Sequence, residues 1–159
     1  SRLDDERVTE ELLANLWAIN ISGTILPCRY AILRMSTNHG GSGGSIVNVG
    51  SIASKIGAGG VYVDYTASKG AIDAFTIGLA KEVAGEGIRV NTILPGIFNT
   101  PLMNAAPDKV KMPLIEMTQF PKRLGNPAEY AQLVCHMIEN SFLNGETIRI
   151  DGGIRMQPR

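Results

Sequence analysis

Apolar positions recur at helical spacing from early in the chain. Thr9 makes a good N-cap with Glu10 and Glu11 in the first turn, and Leu12, Leu13, Leu16, Trp17 and Ile19 follow. The pattern continues through Ile25, Leu26, Ile32, Leu33 and Met35, and its interruption by Gly23 and Pro27 predicts a kinked helix. A glycine-rich turn, His39 to Ser45, leads into a short buried strand, Ser45 to Val49, built on Ile46, Val47 and Val49. A loop with Gly57, Gly59 and Gly60 is expected from Ser51 to about Val63. A second long helix starts near Tyr65, with Ala67, Ala71, Ala74, Phe75, Leu79 and Val83 as its apolar side and Gly85 and Gly87 at its end. Ile88 to Leu94 is a β-rich run closed by Pro95-Gly96, and the mixed, proline-containing stretch from Ile97 to Leu124 predicts irregular or short helical structure. Asn126, Pro127 and Glu129 supply an N-cap, an N1 proline and an N3 acid for a helix through Tyr130, Leu133, Val134, Met137 and Ile138. Asn144-Gly145 is a turn, Thr147 to Ile150 a strand, and Asp151-Gly152-Gly153 another turn. Alternation of helix and strand predicts an α/β protein whose parallel sheet carries helices on its faces.

Composition narrows the class. The 159 residues suit one domain, and 44% hydrophobic against 19% charged residues allows a packed core and argues against disorder. Fifteen basic residues balance fifteen acidic ones, which is unlike a nucleic-acid-binding protein. No uninterrupted apolar run reaches the roughly 20 residues a bilayer requires, and no basic-then-apolar start is present, so neither a membrane partner nor a secretory leader is expected. Two cysteines, Cys28 and Cys135, make no disulfide framework, and a reducing, cytoplasmic setting is expected.

The sharpest chemical feature is Tyr65-Thr66-Ala67-Ser68-Lys69, which puts Tyr65 and Lys69 on one helical face. A free tyrosine, with its pKa near 10, is a poor base at neutral pH, and a nearby ammonium favours its phenolate. Such a pair can give or take a proton near neutrality. A lone Tyr-x-x-x-Lys is more commonly an amphipathic tyrosine beside a solvated lysine, so its surroundings decide. Upstream, the strand Ile46-Val47-Asn48-Val49 ends in Gly50-Ser51, and the carboxyl end of a parallel strand is where such sheets place ligands. Ser54 competes with Ser51 as the substrate-facing hydroxyl, and Ser51 is favoured because it sits directly at the strand end. Gly40-Gly41-Ser42-Gly43-Gly44 follows a helix and precedes a strand, the wrong order for a dinucleotide fingerprint, so it is expected to be a flexible turn. Cys135 and His136 are adjacent on a helix and point apart, and no metal site is expected. His39 is expected to be solvated, and the Trp17 and leucine stripe to be core or a subunit interface.

These motifs together resemble the short-chain dehydrogenase/reductase family. The matching residues are Asn20 in Ile19-Asn20-Ile21-Ser22-Gly23, Ser51 after the Asn48 strand, the Tyr65/Lys69 pair, and Asn91 followed by Pro95-Gly96 and Thr100. The resemblance implies a Rossmann-type doubly wound parallel sheet and an NAD(P)-linked oxidoreductase acting on a secondary alcohol or ketone. It implies an Asn–Ser–Tyr–Lys tetrad at Asn20, Ser51, Tyr65 and Lys69. Tyr65 would be the general acid/base and Ser51 would orient the substrate oxygen. Lys69 would act on Tyr65 and bind the nicotinamide ribose, and Asn20 would hold a water linking Lys69 to solvent. Tyr65, Lys69, Pro95, Gly96, Ile97 and Thr100 would line the cofactor, NAD being favoured over NADP. A homo-oligomer, tetramer or dimer, is implied for the complete protein.

The family's first strand, its Thr-Gly-rich phosphate loop and its cofactor selector have no counterpart here. The resemblance therefore implies a carboxyl-terminal portion, residues 1–159 forming part of a single domain. About three βα units, or roughly 90 residues at about 30 per unit, would be absent from the front. The alternative is a non-catalytic fragment or assembly piece. Phe120-Pro121-Lys122-Arg123-Leu124-Gly125, Glu139 to Glu146 and the close from Asp151-Gly152 to Ile154-Arg155-Met156-Gln157-Pro158 resemble type-2 3-hydroxyacyl-CoA dehydrogenases, also called type-10 17β-hydroxysteroid dehydrogenases. Val61-Tyr62-Val63-Asp64-Tyr65 is more similar to reductases of sugars or acyl carriers. A 3-hydroxyacyl-CoA is the favoured substrate, and an apolar stretch from Met103 to Phe120 is either a lid for an acyl chain or core.

Overall fold

The computed structural model describes residues 2–57 and 62–154. Gly59, Gly60 and Val61 of the expected loop, and Arg155 to Pro158 of the closing stretch, lie outside them. The chain runs α1 (Glu10–Trp17), a π-helical turn (Ala18–Ser22), α2 (Gly23–Met35), β1 (Gly44–Val49), α3 (Ala53–Ile56) and α4 (Val63–Val83). It continues with β2 (Ile88–Pro95), α5 (Pro101–Asn104), α6 (Asp108–Met117), α7 (Pro127–Glu139) and β3 (Thr147–Ile150). The strands form one parallel sheet in the order β1-β2-β3, with Ile46 beside Val90 and Ile93 beside Ile148. This is the α/β arrangement that the alternation of helix and strand predicts.

Local chemistry accounts for the boundaries. The Thr9 hydroxyl accepts from Leu12 N–H at 3.1 Å. Asn126 and Glu129 close a complete capping box over Pro127. Gly87 takes the left-handed conformation, φ 74°, that turns the chain into β2. Strand pleating then divides the core. Ile88 and Val90 join Cys28, Leu79, Ala80 and Val83 beneath α2 and α4. On the opposite pleat, Arg89 donates to the carbonyls of Met137 and Ile138 at the end of α7, and Asn91 donates to Leu143 O and accepts from Glu146 N–H.

Several expectations need correction. The interruption of the first helix is a π-helical turn at Ala18–Ser22, with Gly23 N–H reaching back to Ala18 O, while Pro27 is carried inside α2. The helical run Glu10–Met35 is therefore long and apolar enough to cross a membrane by length and composition, although its sequence holds no uninterrupted apolar stretch of that length. It lies against α4 and buries Cys28 in the core. Part of the loop after Ser51 is the short helix α3. The glycine run before β1 is a close-packed turn: a Cβ on Gly41 would strike the Met35 backbone, and one on Gly43 the backbone of Gly87.

The buried face of α4 is Ser68, Ile72, Asp73, Thr76, Leu79, Ala80 and Val83, whereas Ala67 and Ala74 are exposed. Hydropathy misplaces this face because three of its polar residues bond inward. Leu12, Trp17, Ile19, Leu26 and Leu33 are exposed, whereas Leu13 and Leu16 of the same stripe are half-buried. No residue of α5 or α6 is fully buried, but Met117 at the end of α6 packs against the Ile52, Leu94 and Ile154 cluster, so core packing accounts for part of that apolar stretch.

Candidate active site

The site is assembled where β1 ends. Gly50 passes close beneath Leu94 and Thr92, leaving no room for a Cβ. Ser51 follows at once. Its Oγ accepts from Ala53 N–H at 3.2 Å, which leaves its O–H as a donor. Ser54 Oγ donates to the Ser51 carbonyl at 2.8 Å, so that hydroxyl serves the turn. Ile52 N–H donates to Pro95 O at 3.3 Å, tying the segment to the end of β2.

Helix α4 brings the other groups. Lys69 Nζ donates to Val49 O at 3.3 Å and stands 5.8 Å from the centre of the Tyr65 ring. Burial pushes the Lys69 ammonium below the ordinary lysine range. Tyr65 and Lys69 are thereby brought together beside the residue that precedes Gly50-Ser51. Asn20, in the π-helical turn, does not bond to Lys69. Its Nδ2 donates to Ser68 Oγ at 3.0 Å, and Ser68 Oγ donates to Tyr65 O at 2.7 Å. Thr24 Oγ1 donates to Asn20 O at 3.0 Å. Ser68 thus links the π turn to the Tyr65 turn of α4, a role the sequence pattern did not reveal. The available signal was a serine three residues after Tyr65, able to bond back to its carbonyl.

A mainly apolar cleft of about 400 Å³ opens at the same end of the sheet, lined by Val49, Pro95, Gly96, Ile97, Thr100 and Tyr130 among others. Gly96 N–H donates to Ile150 O, and a Cβ on Gly96 would come within 2.6 Å of the Asp151 Cβ. Thr100 caps α5 by accepting from Met103 N–H. The donor set fits the nicotinamide riboside end of a dinucleotide. An ammonium has three donors and Val49 O takes one, which leaves Lys69 two for sugar hydroxyls beside an apolar wall for a flat ring. Among the described residues, no group of three or more His, Cys, Asp and Glu side chains is placed to hold a metal ion.

Sequence reasoning also missed a buried polar chain behind the site. Cys28 Sγ donates to Asn48 Oδ1 (3.3 Å), Asn48 Nδ2 donates to Thr76 Oγ1 (3.0 Å), and Thr76 and Thr92 share a hydrogen bond of 2.6 Å. The chain joins α2, β1, α4 and β2, and the signal for it was an asparagine inside an otherwise apolar strand.

Comparison with known proteins finds related sequences and a related fold. A family model described as Enoyl-(Acyl carrier protein) reductase matches residues 4–155. The 3-hydroxyacyl-CoA dehydrogenase type-2 of Bos taurus is 50% identical over 143 residues, which are 88% of this chain and 54% of that protein. Its Drosophila melanogaster counterpart is 45% identical over 143 residues, 88% of this chain and 56% of that protein. The crystal structure of 3-hydroxyacyl-CoA dehydrogenase type-2 from Mycobacterium avium is similar with a TM-score of 0.88 at 29% identity, over 100% of this chain and 64% of that one. The chain spans about half the length of the relatives it matches.

Proposed function

The chain belongs to the short-chain dehydrogenase/reductase family, and from that premise we propose that the complete protein moves a hydride between a nicotinamide dinucleotide and a secondary alcohol or ketone. NAD is favoured over NADP, and a 3-hydroxyacyl-CoA is the favoured substrate. The observation that carries this reading is the Lys69 to Val49 bond, which holds the Tyr65 face of α4 against the segment leading to Ser51.

Ser51 donates its hydroxyl proton to the substrate oxygen and fixes its position. Tyr65 passes a proton to or from that oxygen as the general acid/base. The Lys69 ammonium stabilises negative charge on the phenol oxygen while the proton is away, and its remaining donors hold the ribose hydroxyls. Asn20 holds a water that connects Lys69 with solvent. Pro95, Gly96, Ile97 and Thr100 line the nicotinamide. The dinucleotide, when bound, supplies or accepts the hydride.

Similarity to 3-hydroxyacyl-CoA dehydrogenases supports the acyl-CoA substrate, and so does the apolar cleft continuing past Thr100 to Met103 and Tyr130. A second reading, reduction of a 3-oxoacyl carrier or a sugar, draws on the acyl-carrier reductase description of the matching family model. The exposed outer face of Leu12, Ile19, Leu26 and Leu33 supports a homo-oligomer, since a patch of this kind favours burial against another chain. Cys28 and Cys135 are free thiols, consistent with a reducing compartment such as the cytoplasm. The test is to follow reduced dinucleotide formed by the full-length protein with a short 3-hydroxyacyl-CoA. Turnover that vanishes in Tyr65→Phe supports the reading, and turnover that survives the substitution overturns it.

A further inference from the structure

Asp73 is buried on α4, and its Oδ1 has no hydrogen-bond partner. Its other oxygen, Oδ2, lies 3.2 Å from Lys55 Nζ of α3. Burying a carboxylate with one oxygen unsatisfied costs stability, and an ion pair of this kind is weak evidence for a stabilising role. Its placement says more. Tyr65, Lys69 and Asp73 stand four residues apart and so form one stripe along α4. Lys69 grips the chain at Val49, two residues before Ser51, and Asp73 grips it at Lys55, four residues after. The segment that carries Ser51 is fastened at both ends to the helix that carries Tyr65. Between the two ties the carboxylate lies near Gly50, since a Cβ added there would be in ordinary contact with Asp73 Oδ1 at 3.5 Å.

The geometry points to Asp73 and Lys55 as positioning residues, a clamp that sets the distance between Ser51 and Tyr65. Neither touches the reacting atoms in this scheme. The inference rests on the proposed roles of Ser51 and Tyr65 and adds residues to which neither the tetrad nor the comparisons assign a part. Lys55 is the partner to change, because it is partly exposed whereas Asp73 is buried; its removal leaves the Asp73 carboxylate unpaired, so it is compared with Lys55→Arg, which keeps the pair.

In the full-length protein, Lys55→Met should lower kcat about tenfold, within the range of up to ~100-fold expected for a misplaced catalytic group. The dissociation constant for the dinucleotide should stay within about twofold, because the Lys69 contacts are unchanged. Amide exchange across residues 50–56 should quicken about tenfold while the rest of the sheet keeps its protection. Lys55→Arg, which retains the charge, should restore both kcat and protection. If Lys55→Met keeps wild-type exchange in that segment, the clamp is overturned. It is equally overturned by faster exchange with an unaltered kcat in an active enzyme. Should the wild-type protein turn over no alcohol or ketone at all, the proposed reaction falls and the positioning role falls with it, while faster exchange in Lys55→Met would leave the ion pair as a structural tie alone.

Discussion

Lys69 donates to the carbonyl of Val49 across 3.3 Å, so one ammonium ties the Tyr65 face of α4 to the strand that delivers Ser51. A lysine on a solvated helix face would leave all three donors to water. Here one is spent on the backbone of β1, and the direction of the side chain is fixed. A tyrosine and a lysine four residues apart become a candidate acid/base device only through this contact with a second element.

Tyr65→Phe in the full-length protein should reduce kcat by about 10²- to 10⁴-fold, the usual contribution of a positioned acid or base. The substitution removes one hydroxyl from a half-buried ring and leaves the Ser68 bond to the residue 65 carbonyl in place. Dinucleotide affinity and the unfolding midpoint should stay near wild type. Steady-state rates beside a binding titration test this, and a near-normal kcat would remove Tyr65 from the chemistry.

Burial lowers the Lys69 pKa, and the sign of the consequence can be worked out. Between that lowered value and the ordinary lysine value near 10.4, the unfolded chain binds more protons than the folded one. Stability contributed by this group therefore rises with pH across that window. Wild type should gain urea resistance relative to Lys69→Met on going from about pH 7 to about pH 10. A difference that stays constant with pH would mean that Lys69 titrates in the folded protein as it does in water.

How far the sequence reveals this molecule depends on whether a residue's surroundings are local. β3 was legible as Thr147 to Ile150 because β-branched residues cluster there between two turns. The α7 start was legible because Asn126, Pro127 and Glu129 satisfy one another within four residues. The buried face of α4 was not legible. Ser68, Asp73 and Thr76 are polar, and their partners Asn20, Lys55 and Asn48 come from elements 18 or more residues away in sequence. The same limit applies to the site. Tyr65 and Lys69 announce themselves by spacing, whereas Asn20 meets them only through Ser68, and that link forms once the π turn packs on α4.

The chain from Cys28 through Asn48 and Thr76 to Thr92 predicts a stability cost well away from the reacting atoms. Asn48→Ala strands the buried Cys28 thiol and takes one partner from the Thr76 hydroxyl, which keeps its bond to Thr92, and about 1–3 kcal/mol should be lost. Cys28→Ala removes a weak donor and should cost less. Equilibrium denaturation of both variants of the full-length protein measures this. An Asn48→Ala protein as stable as wild type would show that the chain contributes nothing net.

Substrate preference follows from the cleft. Beyond Thr100 its wall is Met103, Phe98 and Tyr130, and Phe98 and Tyr130 meet edge to face with ring centres 5.8 Å apart. A Cβ on Gly125 would run into the Phe98 ring, so the two aromatic side chains and the loop before α7 are packed as a unit. An apolar wall of this kind gains about 0.8 kcal/mol for each methylene it covers, and a sugar offers it little. Among a short or medium 3-hydroxyacyl-CoA, a 3-oxoacyl carrier and a sugar, the CoA ester should therefore have the highest kcat/KM. Within a series of acyl-CoA esters, kcat/KM should rise with each added carbon until the cleft is filled. Tyr130→Ala should flatten that rise, because it removes the wall and leaves Ser51, Tyr65 and Lys69 in place. A series that stays flat in the wild type would place the acyl chain outside this cleft, and a CoA ester ranked last would move the assignment to carrier or sugar reduction.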